Sequence, residues 1–156
     1  MKILLIEDET VSIAGAKEQF IGHDITIVPN VAELLDLAGL GGIEGVVKEF
    51  DLVLTDMNIP FGLYREGRIK FDVFARVSSD TFQPVGLIIK IVCDRLGIPC
   101  VLITDANGHK DVMGLILEMS RMSGVFTRPQ WLNDLKGNKP WKPMVYVTFP
   151  DLRKSL

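Results

Sequence analysis

The chain has 156 residues, 47% of them hydrophobic and 24% charged, which is enough to bury a real core and too apolar for a disordered or collagen-like chain. A formal net charge of −3 gives no bulk attraction to nucleic acid or anionic lipid, and the longest apolar runs fall far short of a membrane span. The two cysteines, Cys93 and Cys100, form neither a disulfide framework nor a C-x-x-C pair, so both are expected as small core residues of a cytoplasmic protein.

Residues 3–6 are a continuous apolar run, as in a strand buried on both faces, and the acidic residues that follow at once exclude a signal peptide. A helical pattern runs over 11–20, with Thr10 placed to cap it. Residues 25–28 read as a second strand. Asn30 then caps a helix carrying Val31, Leu34, Leu35 and Leu37, which the glycine-rich stretch 39–45 interrupts, and a short helical turn leads to Phe50. Residues 52–55 are a third buried strand, ending at Asp56. Apolar and polar residues alternate within 63–77, with Glu66-Gly67 between two runs, which predicts a β-hairpin.

Pro84 opens a helix to about Leu96, stopped by Gly97 and Pro99. Residues 100–104 are a fourth buried strand, a helix with Val112, Ile116, Leu117 and Met119 follows, and 125–127 is a short fifth strand. Residues 130–135 make a short helix at best, and 144–149 read as one more strand. Charge is uneven along this order. Residues 1–126 carry a net −7 and residues 127–156 a net +4, expected as a solvated basic tail or as a docking surface for an acidic partner.

Strands alternating with helices indicate an open α/β sheet of mostly parallel strands, whose sites form beyond the carboxyl ends of the strands. Strand one ends in Glu7-Asp8, strand three in Asp56, strand four in Thr104 and strand five in Thr127-Arg128-Pro129. If these strands are neighbours, their ends converge. Three carboxylates at one mouth repel one another unless a cation joins them, and hard oxygens completed by water and a phosphate suit Mg²⁺. Asp56 could then attack a phosphoryl donor, with Arg128 and the Thr104 hydroxyl on the phosphoryl oxygens.

Four segments carry a resemblance. They are Ile3-Leu4-Leu5-Ile6-Glu7-Asp8-Glu9, Asp51-Leu52-Val53-Leu54-Thr55-Asp56-Met57-Asn58-Ile59-Pro60, Gly97-Ile98-Pro99-Cys100-Val101-Leu102-Ile103-Thr104-Asp105-Ala106 and Gly124-Val125-Phe126-Thr127-Arg128-Pro129. Over residues 1–60 and 84–129 the chain resembles the receiver domain of two-component response regulators. The resemblance implies a flavodoxin-like, doubly wound parallel sheet in the order 2-1-3-4-5, here with an inserted β-hairpin and a C-terminal strand-like tail. It implies one domain over 1–156, with the insert at 61–83 and the atypical tail at 130–156.

Carried over residue by residue, Asp56 matches the phosphoacceptor and Glu7 and Asp8 the metal-binding acidic pair. Asn58 matches the residue whose backbone carbonyl binds Mg²⁺, and Thr104 the switch hydroxyl. Pro129 matches a proline that commonly follows a cis bond. Four positions depart from the pattern: Arg128 stands at the lysine position, Val125 at the aromatic switch position, Thr104-Asp105-Ala106 replaces a Thr-Ala step, and the fifth helix is cut short. The insert holds five of the twelve aromatics and four basic residues. It reads as a lid or docking hairpin, or as a hairpin packed locally or in a homodimer.

The implied function is that of a stand-alone signalling module rather than a true enzyme. It takes a phosphoryl group on Asp56 with Mg²⁺ from a sensor histidine kinase or phosphotransfer protein, and signals to a downstream protein by contact. Nucleic acid and membrane are not expected partners. The alternative is a pseudo-receiver that binds or dimerises without phosphorylation. A third reading, a haloacid-dehalogenase-like phosphatase, also uses a strand-end Asp nucleophile, but residues 56–60 lack that family's second Asp and its Thr.

Overall fold

The computed structural model describes residues 1–60, 82–104, 123–127 and 139–156. In β1 (Lys2–Ile6), Ile3, Leu4, Leu5 and Ile6 are all fully buried, because both faces of the strand are covered. The same holds for β3 (Leu52–Asp56) and β6 (Cys100–Thr104), while β2 (Asp24–Val28) and β7 (Val125–Thr127) form the edges. These five strands form one sheet in the order β2-β1-β3-β6-β7, every pair parallel. With the two-residue strands β4 (Ile59–Pro60) and β5 (Phe82–Gln83) set aside, this is the expected 2-1-3-4-5 order.

Helices cover both faces. On one, Leu4, Ile6 and Val53 pack under α2 (Val31–Ala38), α3 (Gly42–Val47) and α4 (Val85–Leu96) through Val31, Leu34, Val46, Val47, Ile89 and Cys93. On the other, Ile3, Leu5, Leu52, Leu54, Val101 and Ile103 pack under α1 (Thr10–Gln19) and α5 (Trp141–Thr148) through Ala16, Phe20, Trp141 and Val145. Alternate residues of one strand thus feed opposite layers, the two-residue period of a pleated strand. Cys93 and Cys100 are buried free thiols, as expected. No helix among the described residues is long and apolar enough to cross a membrane.

Local chemistry sets the ends. Asn30 Oδ1 accepts from the Glu33 backbone N–H at 2.8 Å, and Asn30 Nδ2 donates to Glu33 Oε1 at 2.8 Å, a reciprocal cap. The first helix begins one residue earlier than expected. Thr10 is inside it and Glu9 holds the capping position, its carboxylate accepting from the Ser12 hydroxyl at 2.8 Å. Gly97 ends α4 in the left-handed conformation, φ 70°.

The strand expected at 144–149 is a correction: residues 141–148 form α5, followed by a 3₁₀ turn, Pro150–Lys154. Val145, Tyr146 and Val147 are good strand formers, but Trp141 and Val145, four apart, share the buried face of a helix. Pro143 sits in the first turn, where its missing N–H breaks no helical bond. The C-terminal segment therefore supplies a helix beside α1, where a strand-like tail was expected in place of a full last helix.

The insert is described only at its root, where β4 and β5 pair antiparallel, Ile59 opposite Gln83 and Pro60 opposite Phe82. The hairpin expected within 63–77, the helix around 112–119, the short helix at 130–135, and Arg128 and Pro129 lie outside the described residues.

Candidate functional site

The strand order reverses direction between β1 and β3, and a doubly wound sheet opens a crevice at the carboxyl ends of such strands. Glu7 and Asp8 leave β1 there, and Asp56 is the last residue of β3. The Glu7 backbone N–H donates to the Val28 carbonyl at 3.2 Å, which holds the turn after β1 against the end of β2. One carboxylate oxygen from each of Glu7, Asp8 and Asp56 lies within 4.8 Å of the others. The three residues the sequence nominates as an acidic cluster do meet.

Their surroundings differ. Glu7 is fully buried, Asp56 nearly so, and Asp8 half-buried. Glu7 Oε1 accepts from the Glu9 backbone N–H at 3.1 Å. Asp56 is held by its own peptide. The Thr55 hydroxyl donates to the Asp56 carbonyl at 2.7 Å, and Gly86 in the first turn of α4 lies so close that a Cβ there would sit 1.8 Å from that oxygen. Gly86 N–H also donates to the Met57 carbonyl at 3.1 Å, so α4 braces the loop carrying Asp56 and Asn58. Asn58 is half-buried, two residues past Asp56. Asp56 stands opposite Ile103 on β6, which puts buried Thr104 one residue further along the neighbouring strand. Phe126, next to Val125, packs on the α1 face.

Lys139 is the residue that sequence reasoning missed. Its Nζ lies 2.6 Å from Glu7 Oε2 and 3.2 Å from Asp56 Oδ1, and the side chain is buried. The backbone around it is fixed. The Lys139 carbonyl accepts from Gln19 Nε2 at 3.0 Å and from the Trp141 N–H at 2.9 Å, and Gln19 Oε1 accepts from the Lys142 N–H at 2.9 Å. The ammonium also stands 5.7 Å from the centre of the Trp141 ring, within cation–π range. The basic excess of the C-terminal stretch was expected as a solvated tail or an external docking surface. Lys139 instead turns inward, onto the protein's own acidic mouth.

Burial raises the Glu7 carboxyl, attraction to Lys139 lowers it, and repulsion from Asp56 raises it again; the outcome is a pKa pushed up to about 7. Burial also disfavours the Lys139 ammonium, but Asp56 and Glu7 outweigh it and hold Lys139 above the ordinary lysine value. Oxygen-only donors within 4.8 Å of one another fit a hard dication.

No protein-family model matches the chain, and no curated protein matches it in sequence. Solved structures do. A response regulator receiver domain protein from Clostridium thermocellum is 17% identical, with 99% of this chain and 98% of that chain covered, at a TM-score of 0.50. The Mn²⁺-bound form of response regulator Rcp1 is 17% identical, with 97% and 91% covered, at 0.46. The BeF₃-activated N-terminal receiver domain of Klebsiella pneumoniae RstA is 19% identical, with 99% and 97% covered, at 0.43. The chain has the fold of a response regulator receiver domain, carried by a divergent sequence.

Proposed function

We propose that the chain is a receiver-type signalling module that accepts a phosphoryl group on Asp56. The observation that carries this reading is the meeting of Glu7, Asp8 and Asp56 at the carboxyl edge of a doubly wound sheet. An Asp56 oxygen attacks phosphorus, an O–P bond forms, and the bond to the donor breaks. The donor is a phosphohistidine of a kinase or phosphotransfer protein, whose imidazole leaves and takes up a proton, or a small acyl phosphate, which leaves as a carboxylate.

Glu7, Asp8 and Asp56, with the Asn58 carbonyl, would hold the dication. Mg²⁺ bound there would offset negative charge on the group in transfer. The Thr104 hydroxyl offers a donor to the product, and Arg128 remains a proposed cation there. The output is a contact with a downstream protein in the cytoplasm, altered by the charge placed on Asp56. The test is intact mass after incubation with acetyl phosphate and Mg²⁺. One phosphoryl adduct is expected on the wild type and none on Asp56→Asn. No adduct on the wild type, under conditions that modify an ordinary receiver, removes this reading.

One observation favours a second reading. The Lys139 ammonium already pairs with both Glu7 and Asp56, which favours an acidic mouth that stands as a structural feature of a pseudo-receiver binding partners without phosphorylation. That reading expects partner binding to be unchanged in Asp56→Asn. A large loss of binding in that variant counts against it.

A further inference from the structure

We propose that Gln19, in the last turn of α1, is a positioning residue for phosphoryl transfer to Asp56: its carboxamide clamps the turn over 139–142 and so fixes where the Lys139 ammonium stands. This rests on the phosphoacceptor reading above and adds to it a side chain that acts through another residue.

The geometry carries the inference. Pro140 stands at φ −82° and ψ 62°, and the Trp141 N–H donates back to the Lys139 carbonyl at 2.9 Å, which is an inverse γ-turn. The same carbonyl accepts from Gln19 Nε2 at 3.0 Å, so both of its lone pairs are used. Gln19 Oε1 accepts from the Lys142 N–H at 2.9 Å. That N–H lies in the first turn of α5, where backbone donors find no partner inside the helix, and Pro140 at the capping position has no side-chain acceptor to offer. One carboxamide from α1 thus caps α5 from outside and holds the peptide that carries Lys139.

Both ends of α1 bear on the mouth. The helix starts directly after Glu7 and Asp8, with Glu9 at its capping position, and its last residue is Gln19. The Lys139 ammonium stands 2.6 Å from Glu7 Oε2 and 3.2 Å from Asp56 Oδ1. The element that follows the acidic pair therefore also anchors the cation that pairs with it. A long lysine side chain acts at a fixed point only while its backbone is held, and a misplacement of about 1 Å can cost on the order of a hundredfold in rate.

The experiment reads the position of Lys139 directly and then its effect. The full chain, free of metal at about pH 8, is treated with sulfosuccinimidyl acetate, and the initial acetylation of each lysine is followed by peptide mass mapping. Lys139 and Lys90 are both buried, Lys90 on α4 across the sheet from α1, so Lys90 reports any general loosening. Gln19→Met, close in length and without the amide, should speed acetylation of Lys139 at least about tenfold and leave Lys90 unchanged. Incubated with acetyl phosphate and Mg²⁺, it should gain the Asp56 adduct on the order of tenfold more slowly, with no weakening of Mg²⁺ affinity by calorimetry. Gln19→Glu loses the donor to the Lys139 carbonyl and should show the same selective release; it decides the matter if Gln19→Met fails to fold. Lys139 acetylation within about twofold of wild type, a parallel rise at Lys90, an unchanged phosphorylation rate with Lys139 released, or an equal weakening of Mg²⁺ overturns the inference. If the wild type takes no phosphoryl group, the phosphoacceptor reading fails, while selective release of Lys139 still upholds the clamp.

Discussion

Replacing Gly86 with alanine should damage both the fold and the acidic mouth. A Cβ on Gly86 lies 1.8 Å from the Asp56 carbonyl oxygen, 2.7 Å from its carbonyl carbon and 2.9 Å from Met57 Cα. All three are backbone atoms, so no side-chain rotation clears the clash. Ordinary contact begins at 3.4 Å, so α4 or the Asp56 peptide must move by about 1.6 Å. Overpacking a dense interior costs about 1–3 kcal/mol. Breaking the Gly86 N–H···O=C Met57 bond adds about 1 kcal/mol. The better helix propensity of alanine returns at most about 1 kcal/mol. The net loss is about 1–3 kcal/mol, or a fall in Tm of about 2–12 °C for a chain of this size. Urea unfolding measures the first effect. Mg²⁺ titration measures the second, where displacement of Asp56 should weaken binding at least about tenfold. Gly45→Ala is the control: it lies in α3 with nothing within 4 Å of the added Cβ, and should be neutral or slightly stabilising. Gly86→Ala within about 0.5 kcal/mol of wild type would falsify the claim that α4 braces the Asp56 loop.

Three further outcomes are expected. The Glu7 carboxyl holds its proton up to about pH 7 in the folded chain against an ordinary value of 4.5, so its contribution to stability is present below pH 4.5 and lost as pH rises through 7. Without metal, wild type should lose up to about 3 kcal/mol over that window relative to Glu7→Gln; parallel pH profiles for the two proteins would refute this. Gly124 has φ +83°, and its added Cβ would meet the Cys100 carbonyl at 2.6 Å and Thr148 Cγ2 at 3.2 Å, so Gly124→Ala should destabilise by about 2 kcal/mol or more in urea unfolding. Trp141→Ala empties a fully buried site between α1 and the sheet and should cost about 3–5 kcal/mol by the same measurement, with loss of the Lys139 cation–π contact as well.

The sheet was legible because its central strands are buried on both faces, which leaves an unbroken apolar run such as Ile3, Leu4, Leu5 and Ile6 that no surface element shows. The cluster of Glu7, Asp8 and Asp56 was legible for a related reason. Parallel strands end together, so charged residues at the ends of neighbouring strands meet. The C-terminal helix was not legible. Over 144–149 the β-branched and aromatic residues satisfy a strand pattern, and only the distant partners of Trp141 and Val145 on α1 and β6 decide for a helix. Lys139 did carry a local signal that was given to Arg128 instead: Lys139-Pro140 is the same cation-proline step as Arg128-Pro129, and the excess of basic residues after position 127 was a second trace. Arg128, nominated as the cation, stands outside the described residues.

The antiparallel pair β4–β5 has an engineering consequence. The polypeptide departs at Pro60 and returns at Phe82 on adjacent, hydrogen-bonded strands, so the excursion is stapled shut at its neck. Lengthening a flexible connection is cheap in general: a doubling costs only about 0.6 kcal/mol in closure entropy. The neck is thus a natural cassette boundary, where a foreign peptide or reporter could be spliced in while the Met57 carbonyl, next to Asp56, keeps its hydrogen bond from Gly86 in the first turn of α4.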